Sequence, residues 1–282
     1  MSGRLEGKVA WVSGANKGIG AGIARLFARE GAKVAMIGRT SSEGEALAAE
    51  IKNAGGEAFF FRCDVMEEED IKNSIEETLV RYGRLDILVN NAGIVDVRML
   101  HEYTVEEWDR VMDLNVRSVF LSFKYAFPYL KAHKKGYVIN IGSISSFVGQ
   151  DETPVYTTSK SAMLGLSRSI GLDYARYGIR CNCVCPGITE TPMLFTHMNA
   201  EKEPQAHYQR RLTRVPLGRQ LYPEDIAKAC LFFACEDSAG ITGTSLIVDG
   251  GYLACAEWDT SKFKLSSSGA DCVSALTISD VL

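Results

Sequence analysis

The chain has 282 residues, a length that single α/β domains reach, and its 46% hydrophobic and 23% charged residues suit a globular protein with a large core. A formal net charge of −4, with the charges scattered along the chain, leaves no basic footprint for a nucleic acid partner. No apolar run approaches the roughly 20 residues needed to cross a bilayer, and Met1-Ser2-Gly3-Arg4-Leu5-Glu6-Gly7 lacks a secretory pattern, so a cytoplasmic protein with no membrane partner is expected.

Residues 8–13 read as a buried strand, after which Ile19, Ile23, Leu26 and Phe27 fall on one helical face that Gly31 closes. A strand at 33–37, a helix at 42–53, a strand at 58–62, a helix at 67–82 and a strand at 86–89 follow. One long helix is expected over 105–130, then a strand at 137–141, a helix at 154–177 and a strand at 179–184. Residues 193–214 read as an irregular polar stretch, and a helix at 223–235 and a strand at 245–248 end the pattern at Asp249-Gly250-Gly251. Strands alternating with helices pair in parallel through right-handed crossovers. The expected fold is therefore α/β: a Rossmann-like doubly wound parallel sheet, helices on both faces, in one domain over 1–257 with a C-terminal extension at 258–282.

Cys181, Cys183 and Cys185, three of eight cysteines, alternate along a strand and share one face. No second Cys or His pair lies nearby in sequence to complete a four-ligand metal set. They read as small apolar core residues, and no metal is assigned.

Ser13-Gly14-Ala15-Asn16-Lys17-Gly18-Ile19-Gly20 lies between the first strand and the first helix. Such a turn brings backbone N–H groups and a helix N-terminus to a pyrophosphate. The second strand ends Ile37-Gly38-Arg39-Thr40, with Gly38 where an NAD site carries an acid for the ribose 2′-hydroxyl. Arg39, and Lys17 in the glycine turn, suit the 2′-phosphate of NADP(H), although both residue types are common on solvated surfaces. NADP(H) is favoured and NAD(H) is the alternative.

Tyr156-Thr157-Thr158-Ser159-Lys160 places a phenol and an amine four apart on one helical face, a motif that occurs by chance. With the motifs around it, the chain resembles the short-chain dehydrogenase/reductase family from about Gly7 to Tyr252. The glycine turn matches T-G-x-x-x-G-x-G with Ser13 replacing the threonine. Cys63-Asp64-Val65 is similar to the segment that meets the adenine, and Asn90-Asn91-Ala92-Gly93 to the family's N-N-A-G. Ser143 stands 13 residues before Tyr156, as the family's catalytic serine does. Pro186-Gly187, with Ile188 and Thr191 behind it, is similar to the nicotinamide-carboxamide loop.

The resemblance implies a catalytic set of Asn115, Ser143, Tyr156 and Lys160. It implies a cofactor set of Gly14, Asn16, Lys17, Gly18, Ile19, Gly20, Arg39, Asp64, Val65, Asn91, Gly93, Tyr156, Lys160, Pro186, Gly187, Ile188 and Thr191. Tyr156 is then the acid/base, its phenol pulled below the usual value near 10 by Lys160 and the oxidised nicotinamide. Ser143 orients the substrate oxygen, and Asn115 holds a proton-relay water.

The implied reaction interconverts a secondary alcohol and a carbonyl, with 193–214 as substrate lid. The lid's His197, His207, Tyr208, Arg210 and Arg211, with Asp96, Gln150 and Glu152, suit a small polar substrate of sugar, polyol or hydroxy-acid type; all are also ordinary surface residue types. Ser143, Gln150 and Tyr156 are the expected substrate contacts. A 3-oxoacyl-carrier-protein-type ketoreductase or a non-catalytic NADP-binding scaffold are the alternatives. The resemblance also implies a homotetramer or homodimer, built on helices with apolar Val116, Val119, Phe120, Phe123, Met163, Leu164 and Leu166. Beyond the usual family end, Ser266-Ser267-Ser268-Gly269 reads as a flexible link, and Trp258 is expected to pack near the lid or a neighbouring subunit.

Overall fold

A computed structural model describes residues 3–199 and 203–255. The C-terminal extension, with Trp258 and the serine-rich link, lies outside the described residues. Seven strands run in chain order: β1 (Val9–Ser13), β2 (Lys33–Gly38), β3 (Glu57–Arg62), β4 (Ile87–Asn90), β5 (Gly136–Ile141), β6 (Ile179–Pro186) and β7 (Ser245–Val248). All neighbours pair in parallel, in the order β3-β2-β1-β4-β5-β6-β7. The order reverses between β1 and β4, and a crevice opens there at the carboxyl ends of the strands.

Side-chain alternation builds a core on each face. Ala10 and Val12 of β1 join α1 (Gly18–Arg29), α2 (Ser41–Asn53) and α9 (Pro223–Ala234) in one core. Trp11 points the other way, among residues of α3 (Glu68–Tyr82), α5 (Ser118–Ala132) and α6 (Pro154–Asp173). The buried Trp11 indole N–H donates to Ser74 Oγ at 3.0 Å, so its burial leaves no orphaned donor.

Two expected elements differ. The long helix over 105–130 is divided into α4 (Val105–Met112) and α5 by a π turn at Asp113–Arg117. Apolar periodicity runs through the break, so only the side chain inside it reveals the cause. Buried Asn115 donates to Ile94 O and its carbonyl accepts from Ile94 N–H, both at 2.9 Å, anchoring the helix to the chain after β4. The stretch at 193–214 contains two helices, α7 (Pro192–Asn199) and α8 (Pro204–Leu212), rather than irregular chain. A narrow apolar stripe holds them: Leu194 and Met198, four apart, and Tyr208 and Leu212, four apart, meet Ile188 and Val215.

Cys181, Cys183 and Cys185 are fully buried along β6, and Cys183 and Cys185 bring their sulfurs to 3.6 Å. Of the seven apolar side chains on the two candidate interface helices, Val119, Phe123, Met163 and Leu164 are buried in the chain's own core. Phe120 remains 55% exposed, and Leu172 on α6 79%.

Candidate active site

The first wall of the crevice is the turn between β1 and α1. Gly14 (φ 62°) and Gly18 (φ 56°) adopt left-handed backbone that glycine takes without strain. α1 starts with no side-chain cap, so its first N–H groups remain available to an anion. The Ser13 hydroxyl accepts from the N–H groups of Asn91 and Ala92 at 3.0 and 3.1 Å. The Asn91 side-chain amide donates to Ser13 O and Gly14 O at 2.9 and 3.1 Å. These bonds tie the ends of β1 and β4 together where the strand order reverses. Asn90 continues the tie inward: its amide donates to Asn140 Oδ1 at 2.8 Å and its carbonyl accepts from Ser122 at 2.7 Å.

At the far end of the crevice, Gly38 closes β2 and Arg39 projects with its side chain 63% exposed, 3.9 Å from Asp64. Glu43, in the first turn of α2, changes the charge count expected there. One of its oxygens lies 3.7 Å from Lys17 Nζ, and the other accepts from the Asn16 amide. The sequence offered a signal only for an acid at a helix N-terminus, not for its reach across to the glycine turn.

The chemical end rests on α6, which Pro154 opens in the first turn. Tyr156 and Lys160 share a face, with Lys160 Nζ 5.6 Å from the Tyr156 ring centroid. Lys160 is 3% exposed, and its ammonium donates to Ile141 O at 2.8 Å. Burial pushes its pKa down from 10.5 to about 8. Burial also pushes the Tyr156 phenol up, against a hydrogen bond from Ser143. Burial outweighs the lowering by Ser143 and by the more distant Arg211 charge, and the depression expected from Lys160 is not seen in the structure.

Ser143 follows β5 in extended backbone, and its hydroxyl accepts from Ser145 N–H at 3.1 Å. The Ser145 hydroxyl donates to Gln150 Oε1 at 2.6 Å, fixing that side chain over the pocket. Asn115 sits behind these groups rather than among them. Its amide also donates to Ser159 Oγ at 2.9 Å, and Ser159 in turn donates to Tyr156 O at 2.7 Å. With its side-chain amide and carbonyl engaged in this way, it braces the site.

One continuous cavity of about 530 Å³ joins both ends. Gly14, Asn16, Lys17, Gly18, Ile19, Arg39, Asp64, Val65, Asn91 and Gly93 line it, as do Ser143, Gln150, Tyr156, Lys160, Pro186, Gly187, Ile188 and Thr191. Gly20 does not. A Cβ there would lie 2.2 Å from Gly14 O, so it packs behind the turn. Asp96 is half-buried and paired with Arg110 at 2.5 Å, and Tyr208 donates to Gln220 at 2.5 Å. His207 and Glu152 line a neighbouring cavity, and nothing is described for the His197 side chain. Arg211 of α8 lines both cavities. A long crevice at a strand-order reversal, with an open helix N-terminus midway and no Cβ at Gly14 or Gly93, fits an extended dinucleotide.

Residues 14–253 match the short-chain dehydrogenase family model described as enoyl-(acyl carrier protein) reductase. The chain belongs to the short-chain dehydrogenase/reductase family. It is 40% identical over 250 residues to an uncharacterized oxidoreductase of Thermotoga maritima, covering 89% of this chain and 99% of that one. It is 38% identical over 255 residues to 2-(S)-hydroxypropyl-CoM dehydrogenase 3 of Xanthobacter autotrophicus, covering 90% and 100%. The crystal structure of levodione reductase superposes with a TM-score of 0.86 at 28% identity, covering 89% of this chain and 99% of that one. As a member of this family the chain is an oxidoreductase that uses a nicotinamide cofactor and acts on CH–OH groups of small molecules. Among the described residues no helix is long and apolar enough to cross a membrane.

Proposed function

We propose that this enzyme uses NADP(H) to interconvert a secondary alcohol and a carbonyl on a small polar substrate, with Tyr156 as the acid/base. The observation that carries the reading is the placement of Ser143, Tyr156 and Lys160 at one end of a cavity whose other end is Arg39. The nicotinamide, when bound, supplies or accepts the hydride. In reduction the Tyr156 phenol, protonated at neutral pH, gives its proton to the carbonyl oxygen, and Ser143 holds that oxygen in line. In oxidation the phenol must ionise, and the positive charges of Lys160 and the oxidised nicotinamide oppose the burial that keeps it neutral. Gln150, fixed by Ser145, lines the pocket on the proposed substrate side. The net charge of −4 weighs against docking of an acidic carrier protein. Oxidation of secondary alcohols, followed as reduced nicotinamide appearing from NADP⁺, tests the reading; no turnover of any alcohol or ketone overturns it.

Lys160 supplies a pH signature. Its ammonium donates to Ile141 O and keeps further protons for the nicotinamide ribose. The charged form exists below about 8, so cofactor affinity is full below that pH and weakens as pH rises through it. Fluorescence titration with NADPH across this range should show the transition in the wild type and none in Lys160→Met. A transition persisting in the variant assigns it to another group.

Assembly is a further part of the proposal. Phe120 and Leu172 are large apolar side chains left in water, and Leu246 and Ile247 are partly exposed on the terminal strand β7. A symmetric dimer or tetramer would cover them. Light scattering at micromolar concentration should give twofold or fourfold the chain mass, and a monomer would refute the assignment.

A further inference from the structure

Building on the NADP(H) reading above, we propose that Glu43 is a specificity residue that limits the preference for the 2′-phosphate by occupying Lys17. Thr40-Ser41-Ser42-Glu43 has the spacing of a capping box, in which a hydroxyl and an acid each satisfy a backbone N–H at a helix start. At the start of α4 the same spacing forms that box. Thr104 Oγ1 accepts from Glu107 N–H at 3.2 Å, and Glu107 accepts from Thr104 N–H at 3.0 Å. At the start of α2 the Thr40 hydroxyl makes no cap hydrogen bond, and Glu43 turns across to the glycine turn. One of its oxygens lies 3.7 Å from Lys17 Nζ, and the other accepts from the Asn16 amide. Two acids with the same local option thus behave differently, and the one that leaves its own helix reaches residues that line the cavity.

The charge balance at this end of the cavity gives the role. Asn16, Lys17, Gly38, Arg39 and Thr40 line it. Lys17 and Arg39 each face an acid, Glu43 at 3.7 Å and Asp64 at 3.9 Å, so these four charges sum to zero. A 2′-phosphate brings close to two negative charges at neutral pH. It must draw Lys17 from Glu43 and approach the Glu43 carboxylate in doing so. A 2′-hydroxyl brings no charge for that carboxylate to repel. The other Glu43 oxygen acts through Asn16, whose Oδ1 lies 2.6 Å from where a Cβ on Gly38 would be. The side chain that Glu43 holds therefore fills the space over Gly38 with a neutral acceptor. Lys17 and Glu43 are 56% and 42% exposed, and an ion pair so solvated is weak enough to exchange partners. Glu43 thus discriminates by charge, against the phosphorylated cofactor and not against its hydroxyl counterpart.

Calorimetry with adenosine 2′,5′-bisphosphate and with adenosine 5′-monophosphate reads the effect without turnover. Glu43→Gln should raise affinity for the bisphosphate about three- to tenfold, the size of one charge pair at a solvated surface, and keep that for the monophosphate within about twofold. Lys17→Met should cost less in the wild type than in the Glu43→Gln background, where it removes most of the gain. The gain should shrink at about 0.5 M salt, which screens exposed charges. Thermal melting checks that the variants are folded, and Glu43→Ala carries the same expectation should Glu43→Gln not fold. Unchanged affinity for the bisphosphate, an equal rise for the monophosphate, or a gain undiminished by Lys17→Met overturns the role of Glu43. If Arg39→Leu still weakens the bisphosphate in that case, the NADP(H) reading stands and the Glu43 inference alone falls. A wild type that binds both nucleotides equally, with no response to Arg39→Leu, overturns both.

Discussion

Tyr156→Phe is expected to lower kcat by about a thousandfold, within the range that a positioned proton donor contributes, while NADPH binding stays close to wild type. The substitution removes one oxygen at the chemical end of the cavity and leaves its shape, the glycine turn and Lys160 in place. Desolvation in the pocket favours the protonated form of this half-buried phenol, and Ser143 is hydrogen-bonded beside it. Without it the carbonyl oxygen keeps the Ser143 hydroxyl but loses the phenol proposed to protonate it. Steady-state turnover with a responsive ketone, together with a fluorescence titration of NADPH, separates the two effects. Retention of more than about a tenth of wild-type kcat would remove Tyr156 from the acid/base role.

Cofactor choice is the second large effect. Arg39 should meet the 2′-phosphate of NADP(H) with charge-assisted hydrogen bonds of about 2–3 kcal/mol, a preference over NAD(H) of about 30- to 150-fold. Arg39 carries most of this, because Lys17 is already 3.7 Å from Glu43. Gly38→Asp combined with Arg39→Leu should invert the preference, since the new carboxylate repels the phosphate and accepts from the ribose hydroxyl. A Cβ at position 38 would lie 2.6 Å from Asn16 Oδ1, so Asn16 has to move and its bond to Glu43 is disturbed. The inverted enzyme is therefore expected to be less efficient with NAD(H) than the wild type is with NADP(H). Equal efficiency with the two cofactors in the wild type would show that Arg39 points elsewhere.

Much of this was legible in the sequence, for reasons of period and spacing. Strand and helix order follows from apolar runs bounded by glycine, and the doubly wound sheet follows from that order. The Ser13 hydroxyl does what the threonine it replaces would do, accepting from Asn91 and Ala92 across the β1–β4 seam. Contacts between segments distant in sequence were not legible. Glu43 reaches the glycine turn only because α2 starts beside it, and Asn115 breaks its helix because Ile94 lies alongside. The two helices α7 and α8 were hidden by composition, since Leu194, Met198, Tyr208 and Leu212 supply a stripe too narrow to stand out among polar residues. Burial of Tyr156 and Lys160, which sets the direction of both shifts, has no sequence signal at all.

In the proposed reaction, hydride passes between NADP(H) and a carbinol carbon held at Tyr156. Its most direct test is isotope transfer: NADPH deuterated at the reactive nicotinamide carbon is incubated with the enzyme and a panel of ketones and keto acids, and the products are analysed by mass spectrometry and NMR. One deuterium is expected on the carbinol carbon of a single enantiomer, with no label elsewhere and loss of transfer in Tyr156→Phe. Label on the carbon of a reduced C=C bond, or cofactor oxidation with no label in product, would contradict it.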